Sequence, residues 1–168
     1  ICKTLSNQPR GTKLFDKQVN TDIGRDVFII GYAGSLEMGF WNDISYYCKT
    51  FIALNEMCSK LHYLIVTNSN RSEITEYFHN NSLFNFNIIP VRQEQVIECL
   101  SQCDAGIQVM PKLEDSKTRF GVKSVEYLSA GLPIICNENV GALSELVRKD
   151  DLGIVLPVDL EQFNKFID

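Results

Sequence analysis

The sequence predicts a three-layer α/β domain built on a parallel sheet of about six strands. Six short apolar runs alternate with segments in which apolar residues recur at helical spacing. The first of these runs is continuously apolar, a pattern typical of strands that are buried on both faces. Most of the stretches between runs hold a crossover helix, which parallel strands require. We therefore expect a doubly wound sheet with helices on both faces.

The size and composition are those of a single globular domain. The chain has 168 residues, of which 45% are hydrophobic and 22% charged, and its net charge is −5. An acidic balance argues against a nucleic-acid surface covering the domain and leaves room only for a local basic patch. There is no run of 18 apolar residues and no layout of a signal peptide, so the expected location is the cytoplasm.

The six cysteines lack paired C-x-x-C spacing, and most fall within predicted helices or strands. Buried thiols are favoured over disulfides or metal ligands. The positions are Cys2, Cys48, Cys58, Cys99, Cys103 and Cys136.

Residues 1–25 are polar, contain Pro9, Gly11 and Gly24, and carry little periodicity. They predict a linker or an interdomain edge, which leaves 26–168 as the folded domain. The chain begins with Ile1 and not with Met, which suggests a piece of a longer protein.

The remaining elements follow in chain order. Ser72 is the expected cap of the second helix, and Gly131 is expected to end the fourth. The predicted strands are Val27–Gly34, Leu61–Thr67, Phe86–Val91, Ala105–Met110, Leu132–Cys136 and Gly153–Leu156. The predicted helices are 42–60, 72–78, 93–103, the segment after 119, 142–149 and 160–167.

The segment from Arg119 to Pro133 holds the candidate site. A helix that starts beyond the carboxyl end of a strand offers unpaired N–H groups and a positive dipole end to a phosphate. The N–H groups of Phe120, Gly121 and Val122 are the candidates, and Gly121 lets the backbone approach a ligand without a Cβ.

Glu126 lies one turn further along this helix, about 40° round from the apolar Val122. We therefore expect it to flank the buried face. A carboxylate there can accept hydrogen bonds from two neighbouring sugar hydroxyls. The alternative is an ordinary solvated helix residue.

These residues also carry a resemblance. The run Phe-Gly-Val-Lys-Ser-Val-Glu-Tyr-Leu-Ser-Ala-Gly-Leu-Pro-Ile-Ile from Phe120 to Ile135, with Asn-Val-Gly-Ala-Leu-Ser-Glu from Asn139 to Glu145, resembles the donor-binding motif of retaining glycosyltransferases of family 4. The resemblance implies a Rossmann-like domain forming the C-terminal half of a GT-B arrangement. It also implies that Glu126 holds the ribose of a sugar nucleotide and that residues 120–122 face its diphosphate.

The chain departs from that family in the loop after the first strand. The family commonly places an Arg and a Lys there on the diphosphate, whereas here Gly34 is followed by Ser35 and no Lys or Arg occurs before Lys49. The phosphate charge must be met by the helix start, by Lys123 or Arg119, or by a group outside this chain.

Two further positions follow from the resemblance. Thr118 stands eight residues before Glu126, where many relatives have a second Glu that touches the donor sugar, while Lys123 fits a variant with Lys three residues before the Glu. The loop Pro90-Val91-Arg92 matches the base-contacting loop, so Arg92 is either a base-stacking residue or an ordinary surface arginine.

The resemblance implies a metal-independent glycosyltransferase, with a nucleotide sugar as donor substrate and no other cofactor. We expect the donor-binding half of an enzyme of bacterial surface polysaccharide synthesis. Its partner would be an N-terminal acceptor-binding domain of the same protein, through which it could touch the inner face of the membrane. The alternatives are a sugar-nucleotide epimerase of the same fold and a non-catalytic nucleotide-binding module.

Overall fold

The computed structural model describes residues 26–39, 42–112 and 121–157. The strands are β1 Phe28–Ala33, β2 Leu61–Val66, β3 Phe86–Ile89, β4 Ala105–Gln108, β5 Ile134–Asn137 and β6 Gly153–Leu156. The helices are α1 Ile44–Met57, α2 Arg71–Asn80, α3 Val96–Leu100, α4 Val122–Ser129 and α5 Gly141–Lys149, and a 3₁₀ turn Gln93–Gln95 precedes α3.

The six strands form one sheet in the order β3-β2-β1-β4-β5-β6. Every pairing is parallel. This confirms the doubly wound parallel sheet that the sequence predicts. The strand order reverses between β1 and β4, and in open α/β sheets ligands bind beyond the carboxyl ends of the strands at such a reversal.

Helices cover both faces of the sheet. On one face, α1 and α2 bury a core that includes stacked Phe51 and Tyr63, whose ring centroids are 4.1 Å apart. On the other face, α3, α4 and α5 pack over Leu64, Val66, Ile134 and related apolar side chains. A sheet buried on both faces explains why the strands read as continuous apolar runs.

Tyr127 fixes α4 against the two strands that flank the reversal point. Its hydroxyl donates to the carbonyl of Ile107 at 2.8 Å and accepts from the N–H of Ala33 at 3.2 Å. Its ring lies over Gly106, where an added Cβ would be 2.3 Å from a ring carbon. One side chain therefore ties the helix to both β1 and β4.

Several helix boundaries differ from the predicted ones. The cap of α2 is Asn70 and not Ser72, because the Asn70 side chain accepts from the N–H groups of Ser72 and Glu73. The first helix is shorter than predicted at both ends and starts from Asp43, whose side chain caps it. The predicted helix 93–103 divides into the 3₁₀ turn and α3.

The end of α4 is as predicted. Ala130 closes the helix and Gly131 adopts a φ of +72°, which glycine tolerates best. The expectation that Val122 lies on the buried face is wrong, since its side chain is 74% exposed. The helix contacts the sheet through Ser124 and Tyr127, both fully buried, and the missing Cβ of Gly106 leaves room for the Tyr127 ring.

The predicted linker 1–25 and the predicted helix 160–167 lie outside the described residues. Within the described part of the chain, no helix combines the length and the apolar character that crossing a bilayer requires.

Candidate functional site

A crevice of about 400 Å³ opens at the carboxyl ends of β1, β2 and β3. Its walls come from the loops that follow these strands. The lining residues include Gly34, Ser35, Val91 and Gln93. The volume is within the range of small-molecule sites, and the crevice lies at the carboxyl ends of parallel strands, the edge at which open α/β sheets bind ligands.

Lys123 reaches across the reversal point from α4 to the loop after β1. Its Nζ donates to Asn42 Oδ1 at 2.7 Å and to the Tyr32 hydroxyl at 2.9 Å, and it lies 4.5 Å from the centre of the Tyr32 ring. The Tyr32 hydroxyl in turn donates to the carbonyl of Ser35 at 2.6 Å. An ammonium from a distant helix thus stands beside a loop that has no Lys or Arg of its own before Lys49.

Gly34 makes this approach possible. A Cβ at this position would lie 2.4 Å from Lys123 Cε and 2.9 Å from Nζ, far inside van der Waals contact. Its φ of +136° is also one that residues with a Cβ rarely adopt. The backbone conformation therefore favours glycine here, and a Cβ would in addition displace the end of the lysine side chain.

Burial lowers the pKa of Lys123 to about 8, and the negative charge of Glu126 opposes this shift. Desolvation disfavours the charged form of an amine. At pH 7 the ammonium is still about nine-tenths protonated, since its pKa lies one unit above. The site therefore holds a cation with few water neighbours, which is the state in which an anion binds most strongly.

Glu126 is half-buried, although the expectation rested on Val122, which is exposed; the buried face beside it is that of Ser124 and Tyr127. Its Oε1 accepts a hydrogen bond of 2.6 Å from Gln93 Nε2. Because Gln93 lines the crevice, this bond holds the carboxylate at the crevice rim, one helical turn from Lys123.

The N-terminus of α4 carries no side-chain cap, and Gly121 is the residue before its first turn. A Cβ on Gly121 would lie 2.4 Å from Gln108 Nε2. The buried Gln108 accepts from the Ser124 hydroxyl at 2.7 Å, which ties the helix start to β4. Gly121 is therefore needed for packing against Gln108. The sequence had indicated a different reason, the close approach of the backbone to a ligand.

The other residues predicted for the site do not all lie at the crevice. Arg92 is exposed and is not among the lining residues, although its neighbours Val91 and Gln93 are. Ser35 lines the crevice, and Val122 lies at the exposed start of α4. The predicted contacts of Thr118, Arg119 and Phe120 lie outside the described residues.

Sequence reasoning missed Tyr32, Asn42 and Gln93. Tyr32 is fully buried at the end of β1, so in the sequence it resembles any core aromatic residue. Asn42 and Gln93 are polar residues in loops that follow parallel strands, and this position was the available signal. Their partners on α4 lie 81 and 33 residues away in sequence.

The described residues show no cluster of three or more His, Cys, Asp or Glu side chains placed to hold a metal ion. The cysteines in the described ranges are all free thiols, and all but the half-buried Cys58 are buried. Burial raises the pKa of Cys48 to about 11, so this thiol stays protonated at neutral pH.

Known structures share this fold. Apo OtsA has a TM-score of 0.60 and 13% identity, with 98% of this chain and 40% of that chain covered. The pneumococcal O-GlcNAc transferase GtfA in complex with UDP and GlcNAc has a TM-score of 0.51 and 19% identity, covering 68% and 21%. An E. coli structure described as trehalose-6-phosphate bound with UDP-2-fluoro glucose has a TM-score of 0.56 and 13% identity, covering 83% and 35%.

This chain therefore spans between 21% and 40% of the length of those three structures. Comparison with curated protein sequences gave no significant match. A family model described as glycosyl transferases group 1 matches residues 27–168, which include every described strand and helix. The chain belongs to the glycosyl transferases of group 1.

Proposed function

We propose that this chain is the donor-binding half of a retaining glycosyltransferase of family 4, which transfers a sugar from a nucleotide sugar. The observation that carries the proposal is the pairing of Lys123 and Glu126 on α4. The ammonium of Lys123 stands over Gly34 at the reversal of strand order, and the carboxylate of Glu126 lies at the rim of the crevice. A cation and a carboxylate one turn apart suit a diphosphate and a ribose.

In this proposal the diphosphate crosses Gly34 and meets Lys123 and the N–H groups at the start of α4. Helix N-termini and lysine side chains both favour phosphate oxygens. The lack of Arg and Lys in the loop after β1 favoured a non-catalytic module, but Lys123 now brings a positive charge to that loop. Two of the matching structures contain UDP or a UDP sugar, according to their descriptions, which supports a nucleoside diphosphate as the ligand class.

Glu126 then accepts hydrogen bonds from ribose hydroxyls. Among the described residues, the bond from Gln93 takes one lone pair of Oε1, which leaves the second oxygen for a ligand. The base extends toward Val91 in the loop after β3. The same arrangement leaves Arg92 at the outer side of that loop, where it can stack only on a base that reaches past Val91.

The chemical contribution of this half is leaving-group stabilisation. As the bond between sugar and diphosphate breaks, negative charge grows on the phosphate oxygens. A poorly solvated ammonium stabilises that charge more than a fully hydrated one does. Because Lys123 and backbone N–H groups meet the charge, we propose a transfer that needs no bound metal.

The wider role is also proposed. An N-terminal domain of the same protein would bind the acceptor, and transfer would occur in the cytoplasm, at the inner face of the membrane, during bacterial surface polysaccharide synthesis. The short span of this chain relative to its structural neighbours supports a missing second half.

The test is calorimetric titration of the chain with a panel of nucleoside diphosphates and sugar nucleotides. One nucleoside diphosphate should bind, and Glu126→Ala should weaken its binding by about 2 kcal/mol, because hydrogen bonds to a charged group are the stronger kind. The matched control is Glu145→Ala, an exposed carboxylate on α5. Binding unchanged by Glu126→Ala, at an unchanged melting temperature, would remove Glu126 from the site.

A further inference from the structure

Asn42 lies in the loop between β1 and α1, immediately before the residue that caps α1. Both polar atoms of its side-chain amide form hydrogen bonds. Oδ1 accepts from Lys123 Nζ at 2.7 Å, and Nδ2 donates to Ser35 Oγ at 3.3 Å. The amide thus connects the lysine of α4 with the first residue after Gly34.

The lysine has one further protein acceptor, the Tyr32 hydroxyl at 2.9 Å. An ammonium has three N–H donors, so two are fixed by neutral oxygen atoms and one remains for a ligand. The Tyr32 hydroxyl is fixed by its own hydrogen bond to the carbonyl of Ser35, so it cannot move when the Lys123 side chain moves. The amide of Asn42, which is only half-buried, is the adjustable member of the pair.

We propose that Asn42 is a positioning residue that holds the Lys123 ammonium over Gly34 for the donor diphosphate, an inference that rests on the function proposed above. Without this acceptor, the flexible lysine stem could turn toward Glu126 on its own helix. The loop after β1 has no Lys or Arg among its described residues, so it would then lose the positive charge that Lys123 brings to it.

This role predicts opposite effects of two substitutions. A neutral acceptor bonded to an ammonium stabilises the charged form, and a carboxylate does so more strongly. Asn42→Leu should therefore lower the pKa of Lys123 below its starting value of about 8. Asn42→Asp should raise it by about one unit, as an opposite charge within hydrogen-bonding distance does.

The other ionisable groups around the lysine keep their places in both variants. Glu126 on α4 is the charge that raises the pKa of Lys123. Tyr32 on β1 stays neutral, because burial and the neighbouring Tyr47, Tyr127 and Glu37 hold the pKa of its phenol well above the usual value.

The first measurement needs no ligand. The Lys123 side chain is titrated by carbon NMR in the wild-type chain, in both Asn42 variants and in Asn80→Asp, an added charge at the exposed end of α2. We expect a lower pKa with Leu, a higher pKa with Asp and no change in the control. Equal pKa values in all four chains would overturn the proposal, whatever the chain binds.

The second measurement titrates UDP into the same four chains across pH 6–9. Asn42→Leu should weaken UDP binding by about 3- to 10-fold at pH 7, the effect of one net hydrogen bond, and should shift the alkaline loss of affinity to lower pH. Asn42→Asp should shift that loss to higher pH. If the pKa values shift but the pH dependence of UDP binding does not, the proposed positioning role is also overturned. If none of the four chains binds UDP, the result counts against the proposed donor, and the NMR titration alone decides on Asn42.

Discussion

Replacing Lys123 by Met should weaken the binding of a nucleoside diphosphate and leave the stability of the fold nearly unchanged. Met keeps a long unbranched stem beside Gly34 but removes the ammonium, with its bonds to Tyr32 and Asn42. If Lys123 meets the donor diphosphate, the substitution removes a charge-assisted contact. We expect UDP to bind roughly 10- to 100-fold more weakly, from the 1.5–3 kcal/mol typical of hydrogen bonds to charged groups.

The folded state should keep about the same stability. Burial lowers the pKa of Lys123 from 10.5 to about 8, so holding the charge costs the folded state at most about 3 kcal/mol near neutral pH. The two lost hydrogen bonds from the ammonium, at about 1.5–3 kcal/mol each, offset all of this gain or slightly more. The Tyr32 hydroxyl keeps its bond to Ser35, so no buried donor is left unsatisfied. The melting temperature should stay within a few degrees of the wild-type value.

The pH dependence of stability gives an independent check. Between about pH 8 and 10 the unfolded chain binds more protons at Lys123 than the folded chain does, so this residue contributes a rise with pH to the free energy of unfolding. The buried thiols of Cys48 and Cys136, whose pKa values burial raises, contribute a fall in the same window, so the Lys123 contribution is measured as the difference between wild type and variant. The Lys123→Met variant should lack that rise. The assay is urea unfolding at several pH values beside UDP calorimetry at pH 7, with Lys149→Met on the exposed end of α5 as control.

The reasoning would be refuted by a Lys123→Met variant that melts several degrees lower and binds UDP as tightly as the wild type. That result would make the lysine a structural bridge between α4 and the loop after β1. A matching loss of affinity in Lys149→Met would instead point to a general effect of net charge.

Three further predictions follow from the same geometry. Gly34→Ala should weaken UDP binding and lower the melting temperature, because a Cβ there meets Lys123 Cε at 2.4 Å and the φ is +136°; normal binding by this variant would contradict the proposed diphosphate path. Gly121→Ala should destabilise the fold by about 1–3 kcal/mol in urea unfolding by displacing Gln108, whereas a fully stable variant would show that Gln108 moves aside freely. The isolated chain should bind a nucleoside diphosphate but transfer no sugar in a radiolabelled-donor assay, since a cleft between two domains needs both walls, and adding the upstream half should restore transfer; robust transfer by these 168 residues alone would show that no second half is needed.

The fold was accessible from sequence because its main signals are local. Continuous apolar runs, a helix that stops at Gly131 and crossover segments of sufficient length together predict a parallel α/β sheet. The exact ends of the helices were harder to predict from the sequence. Asn70 and Ser72 are both good cap residues, and only the backbone geometry decides which side chain meets the free N–H groups.

The sequence by itself also marked Glu126 as a candidate, because it lies one turn from a helix start that can bind phosphate, and Lys123 as one of the groups that could meet the phosphate charge. Only the tertiary structure decided where that cation goes. The order of the strands places β1 beside β4, and Tyr127 ties α4 to both. Lys123 thereby meets Tyr32 and Asn42, residues 91 and 81 positions away, and contacts at such separation follow from topology and leave no periodic trace in the chain.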